Sequence, residues 1–78
     1  MGESQLRAKI ADLTSKYQIT PACALILLCT KFMAEEEGVE WLRLLKRIKV
    51  KGIELNVSHL IRIARNIERD ERGKTLSN

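Results

Sequence analysis

The residues best suited to contacting a ligand lie in the segment NVSHLIRIARNIERDERG, residues 56–73. If this segment is helical, five polar positions recur as i, i+4, i+7, i+11 and i+14, which places them in one row within about 80° of arc. The row consists of Ser58, Arg62, Arg65, Arg69 and Arg72. Arginine offers a rigid fork of N–H donors that matches phosphate groups and guanine edges. The spacing therefore predicts a donor-rich face that could bind a polyanion.

His59 and Asn66 lie beside this row, and the first two turns of the exposed face carry no acidic residue. Asparagine is suited to the adenine edge as arginine is to guanine. The acidic residues of the segment stand off the row, near its C-terminal end, and are Glu68, Asp70 and Glu71. We expect the mixed charges from Glu68 onward to form a solvated helix end. Recognition would then rest mainly on Arg62 and Arg65.

The local sequence NVSHLIRIARN resembles the recognition helix of helix-turn-helix repressors, with a short polar start, an apolar pair and an Arg-Ile step over about eleven residues. The resemblance implies that this helix enters the DNA major groove while neighbouring basic groups hold phosphates. Those groups would be Lys46, Arg47, Lys49 and Lys51. Helix-turn-helix motifs usually keep a turn of three or four residues, whereas the connecting sequence KVKGIELN is longer.

The arginine row could also serve either of two purposes that do not involve DNA. Exposed arginine is a good helix former, and a charged row often only keeps a small protein in solution. Arg65 and Arg69 also have acidic residues three or four positions away, which could form weak pairs within the helix. The second purpose would be to bind an acidic protein partner.

Pro21, Gly38 and Gly52 divide the chain into four short pieces, and each is predicted to be helical. The first, from about Ser4 to Tyr17, carries one apolar stripe. The stripe consists of Leu6, Ile10, Leu13 and Tyr17. The expected fold is therefore all-α, a single small domain over residues 1–78 with about four short helices, helix-turn-helix-like in its C-terminal half.

The second helix begins after Thr20, a favoured N-cap residue, with Pro21 in its first turn, and it ends at Gly38. It is apolar on nearly all sides. One broad side carries Ala22, Leu25, Ile26, Cys29, Phe32 and Met33. The opposite side, Ala24, Leu27 and Leu28, is predicted to be the contact of a homodimer, because a second copy of the chain would cover the helix more easily than three short neighbouring helices. The alternative is the central core helix of a monomer.

The third helix is predicted over about Val39 to Val50, with Trp41 as a core or interface anchor. Other buried positions would be Leu42, Leu44, Leu45 and Ile48. A connector follows and ends in an N-cap at Asn56, although its alternating pattern would also fit a short strand of a ribbon-helix-helix protein. The fourth helix is expected over residues 57–71. Its buried face would hold Val57, Leu60, Ile61, Ala64 and Ile67, and residues 73–78 would fray.

Charge is unevenly distributed along the 78 residues, whose net charge is +4. Residues 41–78 contain ten Lys or Arg against four acidic residues, whereas residues 21–40 contain one Lys against four Glu. Such a chain can approach a polyanion with one end. The longest apolar run is far short of the roughly 20 residues of a membrane span, and two unpaired cysteines suggest a reducing compartment. We therefore expect a soluble, cytoplasmic protein without membrane contact.

Residues for catalysis or metal binding are sparse. Glu36 and Glu40 could form half of a carboxylate metal site, but no Glu-x-x-His motif accompanies them, and the four glycines stand singly. We expect no enzyme activity, no cofactor and no metal. The predicted function is DNA binding by a regulator or accessory factor, and the alternative is a helical module that binds or inhibits another protein without contacting nucleic acid.

Overall fold

The computed structural model describes residues 2–76, with side-chain surroundings through residue 73. Its helices are α1 (Glu3–Tyr17), α2 (Pro21–Glu37), α3 (Trp41–Arg47) and α4 (Val57–Leu76). Within the described residues no strand forms, and one isolated antiparallel bridge joins Val50 to Ile53. The all-α class and the four helices predicted from the sequence are confirmed.

Both ends of α2 are formed by the capping residues that were predicted from the sequence, Thr20 and Gly38. The hydroxyl oxygen of Thr20 accepts a hydrogen bond from the backbone N–H of Cys23 at 3.1 Å, and Pro21 occupies the first turn. At the other end Gly38 takes a left-handed conformation with φ 68°, and its N–H bonds to carbonyls of the last turn. Glycine tolerates this conformation because it has no Cβ.

The third helix is shorter than predicted, because it begins at Trp41 rather than about Val39 and ends at Arg47 rather than near Val50. Ile48 already has extended dihedral angles, φ −73° and ψ 138°. The chain then folds back at Gly52, whose φ is 80°, and the backbone N–H of Ile53 donates to the carbonyl of Val50 at 3.1 Å. Branched side chains at Ile48 and Val50 favour this extended conformation over another helical turn. A connector over residues 48–56 results.

The last helix begins where the sequence predicted and ends later. The side-chain oxygen of Asn56 accepts a hydrogen bond from the backbone N–H of His59 at 3.1 Å, which confirms Asn56 as the N-cap. The helix continues to Leu76 instead of ending near residue 71. The tail predicted to fray over residues 73–78 is thus helical as far as Leu76, and residues 77 and 78 lie outside the described part of the chain.

The centre of the molecule is α2, which packs against α1, α3 and α4, while α3 and α4 also pack against each other. The body measures 42 × 26 × 23 Å. No single helix among the described residues is both long and apolar enough to cross a membrane. Taken together α1 and α2 would meet that length and composition, but the chain bends by 116° between them.

The core holds residues from every helix. Trp41 is buried, and its Nε1–H donates to the hydroxyl oxygen of Thr30 at 2.9 Å. Thr30 in turn donates to backbone carbonyls of its own helix, so no polar side-chain atom buried within the described residues lacks a partner. Of the two roles predicted for Trp41, core anchor or interface anchor, the structure shows the core anchor. The other buried apolar residues are Leu13, Ile19, Ala24, Leu27, Ala34, Leu45, Leu60, Ile63, Ala64 and Ile67.

The side of α2 assigned to a homodimer contact faces the interior of the single chain, so that assignment is wrong. Ala24 and Leu27 are 0 % exposed, and Leu28 is half-buried against the same core. Ala34 lies on the same side of α2 and is also buried, at 2 % exposed. The apolar residues that remain exposed lie on the opposite side of the helix.

Candidate nucleic-acid interface

The predicted arginine row lines an open groove along the exposed side of α4, next to α3. The groove has a volume of about 700 Å³. Its lining residues are Leu42, Ser58, Ile61, Arg62, Arg65, Asn66, Glu68, Arg69 and Arg72. The four arginines are exposed, Asn66 is half-buried, and Leu42 and Ile61 supply an apolar wall. The structure thus brings the whole predicted row together with Asn66 on one surface.

Burial of the opposite side of α4 determines which side chains face solvent. Leu60, Ile63, Ala64 and Ile67 are all at most 6 % exposed and belong to the core. Because these positions share one face of a helix, the arginines must point outward. The Asn56 cap fixes where the helix begins and so sets the position of its first polar residues.

Two acidic residues of α4 form contacts with other helices. The hydroxyl of Tyr17 donates to Asp70 at 2.5 Å, and the ammonium group of Lys16 lies 3.7 Å from the same carboxylate. Lys31 donates to Glu71 at 2.5 Å. The prediction of a purely solvated helix end from Glu68 onward is therefore wrong for Asp70 and Glu71, which join α4 to α1 and α2.

The contact between Tyr17 and Asp70 changes the ionisation of both groups. Burial raises the pKa of Tyr17 above its usual value, and the hydrogen bond to the Asp70 carboxylate raises it further. The Tyr17 hydroxyl, followed by the positive charge of Lys16, lowers the pKa of Asp70 below its usual value. Each shift favours the protonation state that keeps the hydrogen bond, a neutral tyrosine and an ionised aspartate.

The arginines differ in how many acidic side chains lie near them. Within residues 2–73, Arg62 and Arg65 take part in no ion pair, while Nε of Arg69 lies 4.0 Å from Asp70. The weak pairing predicted for Arg65 is therefore absent from that part of the chain. Glu68 is half-buried and lines the groove beside the later arginines. The N-terminal half of the row is the more positive half.

The predicted phosphate-binding residues are exposed but do not line the groove. They are Lys46, Arg47, Lys49 and Lys51, at the end of α3 and in the connector. Lys46 follows the groove residue Leu42 by four positions, so both lie on the same side of α3. His59 is exposed near the start of α4 and is not among the lining residues.

A second groove of about 620 Å³ adjoins the first and is more acidic. Its lining residues are Glu40, Trp41, Leu42, Glu68, Glu71 and Arg72. The two grooves share Leu42, Glu68 and Arg72, so the positive surface ends there. Among the described residues no group of three or more His, Cys, Asp or Glu side chains is arranged to hold a metal ion.

The residues that orient the acidic end of α4 could not be identified from the sequence. Tyr17 and Asp70 are 53 positions apart, and Lys31 and Glu71 are 40 positions apart. No periodicity links partners at such separations, and the spacing of Tyr17 assigns it only to an apolar stripe. Their pairing depends on how α1 and α2 pack against α4.

The chain matches no protein-family model, no curated protein and no solved structure. The connection between α3 and α4 spans residues 48–56 and is longer than the turn of three or four residues typical of helix-turn-helix motifs.

Proposed function

We propose that this protein binds DNA through the exposed face of α4 and acts as a regulator or accessory factor without catalytic activity of its own. The observation that carries the proposal is the separation of charge on α4. Arg62 and Arg65 are exposed and form no ion pair within residues 2–73, whereas Asp70 and Glu71 contact other helices. This separation leaves a positive surface that a polyanion can approach.

The dimensions of the surface are compatible with the major groove. A helix with its side chains is roughly 10–12 Å across, and the major groove of B-DNA is about 12 Å wide. Arg62 and Arg65 would contact guanine edges or phosphates, and the half-buried Asn66 beside them would contact adenine. Ser58, one turn before Arg62, would add a phosphate contact near the start of α4.

The basic residues outside α4 would hold the DNA backbone. Lys46, Arg47, Lys49 and Lys51 are all exposed and precede α4 directly in the chain. Phosphate contacts supply much of the affinity of DNA-binding proteins without reading sequence. Cys23 and Cys29 are both free thiols, as is usual in a reducing compartment, so we place this activity in the cytoplasm.

Titration of a labelled random-sequence duplex tests the proposal. The wild-type protein should bind at low salt and lose affinity steeply as salt rises, because binding releases counterions. The variant R62Q/R65Q should bind more weakly and show a salt slope smaller by about 2, one for each lost phosphate contact. The matched control R7Q/K9Q removes the same charge from exposed positions of α1 and should keep most of the affinity.

Two results would contradict DNA binding by α4. One is a wild-type protein that does not bind the duplex at the lowest salt concentration. The other is an equal loss of affinity in R62Q/R65Q and R7Q/K9Q, which would show that net charge alone attracts the DNA. Far-UV circular dichroism of each variant is the control that tests whether the helices are retained.

The apolar wall of the groove favours a second candidate, an acidic segment of another protein. Leu42 and Ile61 lie beside the arginines, so an acidic amphipathic helix could place its apolar side against them. Leu42→Ala should weaken such a partner but leave the affinity for duplex DNA nearly unchanged. The first candidate is supported if Leu42→Ala leaves the affinity for DNA unchanged while R62Q/R65Q lowers it.

A further inference from the structure

The side of α2 that faces away from the core is apolar and exposed. We call it the outer face of α2, and it consists of Ala22, Leu25, Cys29, Phe32, Met33 and Glu36. Leu25 is 40 % exposed, Phe32 61 % and Met33 48 %, and Cys29 is also exposed. These positions follow the spacing of one helical face, opposite the buried Leu27.

The exposed apolar area is large for a chain of this size. Phe32 alone leaves on the order of 100 Å² open, because an aromatic side chain spans roughly 150–250 Å². With its neighbours, the outer face approaches the roughly 300–600 Å² of the largest apolar patches on monomeric proteins, which are often functional. Two such faces in contact would bury roughly 600–1,200 Å², which is the size of weak, transient interfaces.

Charge is distributed along α2 in a way that defines one orientation of a second copy. Residues 21–30 contain no charged side chain, whereas Glu35, Glu36 and Glu37 follow one another at the C-terminal end. Parallel packing would bring the two groups of glutamates together, where they would repel. Antiparallel packing would place each group beside the N-terminus of the partner's helix, where the helix dipole favours a negative charge.

We propose that the outer face of α2 is the contact between two copies of this chain, packed α2 against α2 in antiparallel orientation. Leu25 then lies opposite the partner's Met33, Cys29 lies opposite its own copy on the two-fold axis, and Glu36 lies beside the first turn of the partner's α2. The contact is isologous, as in most homodimers. It does not depend on DNA binding, because it uses a different helix and forms without DNA.

Analytical ultracentrifugation without DNA measures the association directly. The wild-type protein should pass from monomer to dimer between micromolar and millimolar concentration, as an interface of this modest size implies. Phe32→Glu should weaken the dimer by roughly a hundredfold or more, since the contact would bury an unpaired charge. Ile53→Glu is the matched control, because Ile53 is 56 % exposed but lies in the connector, and it should leave the association unchanged.

A charge-pair experiment tests the orientation. Leu25→Glu and Met33→Lys should each dissociate the dimer, and the double variant L25E/M33K should restore it, because each glutamate would face a lysine of the partner. In a parallel dimer like charges would face each other and the double variant would stay monomeric. Glu36→Gln should weaken an antiparallel dimer but strengthen a parallel one.

Oxidation provides an independent measurement of the distance between the two copies of Cys29. In a Cys23→Ala background, copper-phenanthroline and oxygen should join two chains, as the two thiols lose two protons and two electrons to the oxidant and form a disulfide. The same treatment of the monomeric L25E variant should give far less cross-linked product. A wild-type protein that stays monomeric at millimolar concentration, or a dimer unaffected by both Phe32→Glu and Leu25→Glu, would overturn the proposal.

Discussion

At the scale of single residues, the hydrogen bond from Tyr17 to Asp70 joins two helices whose contacting residues lie 53 positions apart in the sequence. It ties the end of α1 to the C-terminal half of α4 and gives the Asp70 carboxylate a partner outside the arginine row, in addition to Arg69 at 4.0 Å. Lys16 supports the same carboxylate at 3.7 Å. The hydrogen bond therefore contributes both to packing and to the charge of the candidate DNA-binding surface.

This contact predicts a pH dependence of stability. The pKa of Asp70 is lowered, so its contribution is present above its ordinary pKa of about 4 and is lost as pH falls through the folded-state value. The pKa of Tyr17 is raised, so its contribution is present below about pH 10 and is lost as pH rises through its higher folded-state value. Tyr17→Phe should remove the alkaline dependence and weaken the acid one, because the pKa of Asp70 should return toward its ordinary value while Lys16 and Arg69 still lower it.

Nuclear magnetic resonance titration of the Asp70 side chain and melting temperature as a function of pH measure these effects. Introducing Tyr17→Phe into an Asp70→Asn background should change the acid limb of the stability curve no further, since the ionisable partner is already gone. An unchanged Asp70 pKa in Tyr17→Phe would mean that the hydrogen bond does not form in solution.

At the scale of elements, the start of α4 controls where the residues proposed to contact DNA lie. Asn56 ends the connector and accepts the N–H of His59, so the helix begins one residue later, at Val57. The connector itself is held by the bridge from Val50 to Ile53 across Gly52. Ser58 and Arg62 are thereby placed in the first two turns of α4.

Removing the N-cap side chain of Asn56 should lower the stability of the protein by a measurable amount. Asn56→Ala removes the side-chain oxygen that accepts the helix N–H and should reduce the free energy of unfolding by about 1 kcal/mol. Asn56→Asp keeps an accepting oxygen and should be close to neutral. Urea denaturation followed by circular dichroism gives both values, and equal losses in the two variants would show that the cap contributes nothing.

At the scale of the whole molecule, one side of α2 is buried against the other helices and the opposite side is exposed to solvent. Leu27 is 0 % exposed between the other helices, and Phe32 on the opposite side is 61 % exposed. The same helix therefore supplies the centre of the monomer and the proposed contact between copies. Substitutions on its two sides should have different consequences.

Leu27→Ala should lower the free energy of unfolding by about 2–5 kcal/mol, because it removes a fully buried side chain and leaves a cavity. Leu27→Glu should unfold the protein outright, since an unpaired charge would be buried. Phe32→Ala, measured at protein concentrations low enough to keep the chain monomeric, should change stability by less than about 0.5 kcal/mol. Thermal melts distinguish the three variants, and a folded, monomeric L27E would contradict the described core.

Much of the fold could be predicted from short-range patterns. The starts of α2 and α4, the end of α2 and the apolar stripe of α1 follow from capping residues and helical periodicity, which act within a few residues. The predicted end of α3 lies about three residues too late. There, branched Ile48 and Val50 together with the turn at Gly52 favour an extended chain over further helix.

The sequence by itself determined that four helices form and that Ser58, Arg62 and Arg65 share the exposed face of the last one, because both depend on local geometry. Only the tertiary structure decided which side of α2 faces the core, since that helix is apolar all round and periodicity cannot rank its sides. It also decided that Asp70 and Glu71 contact Tyr17 and Lys31 on other helices, and that Arg62 and Arg65 form no ion pair within residues 2–73. Pairs separated by 40 or more residues depend on how helices pack, and that information is absent from any short stretch of sequence.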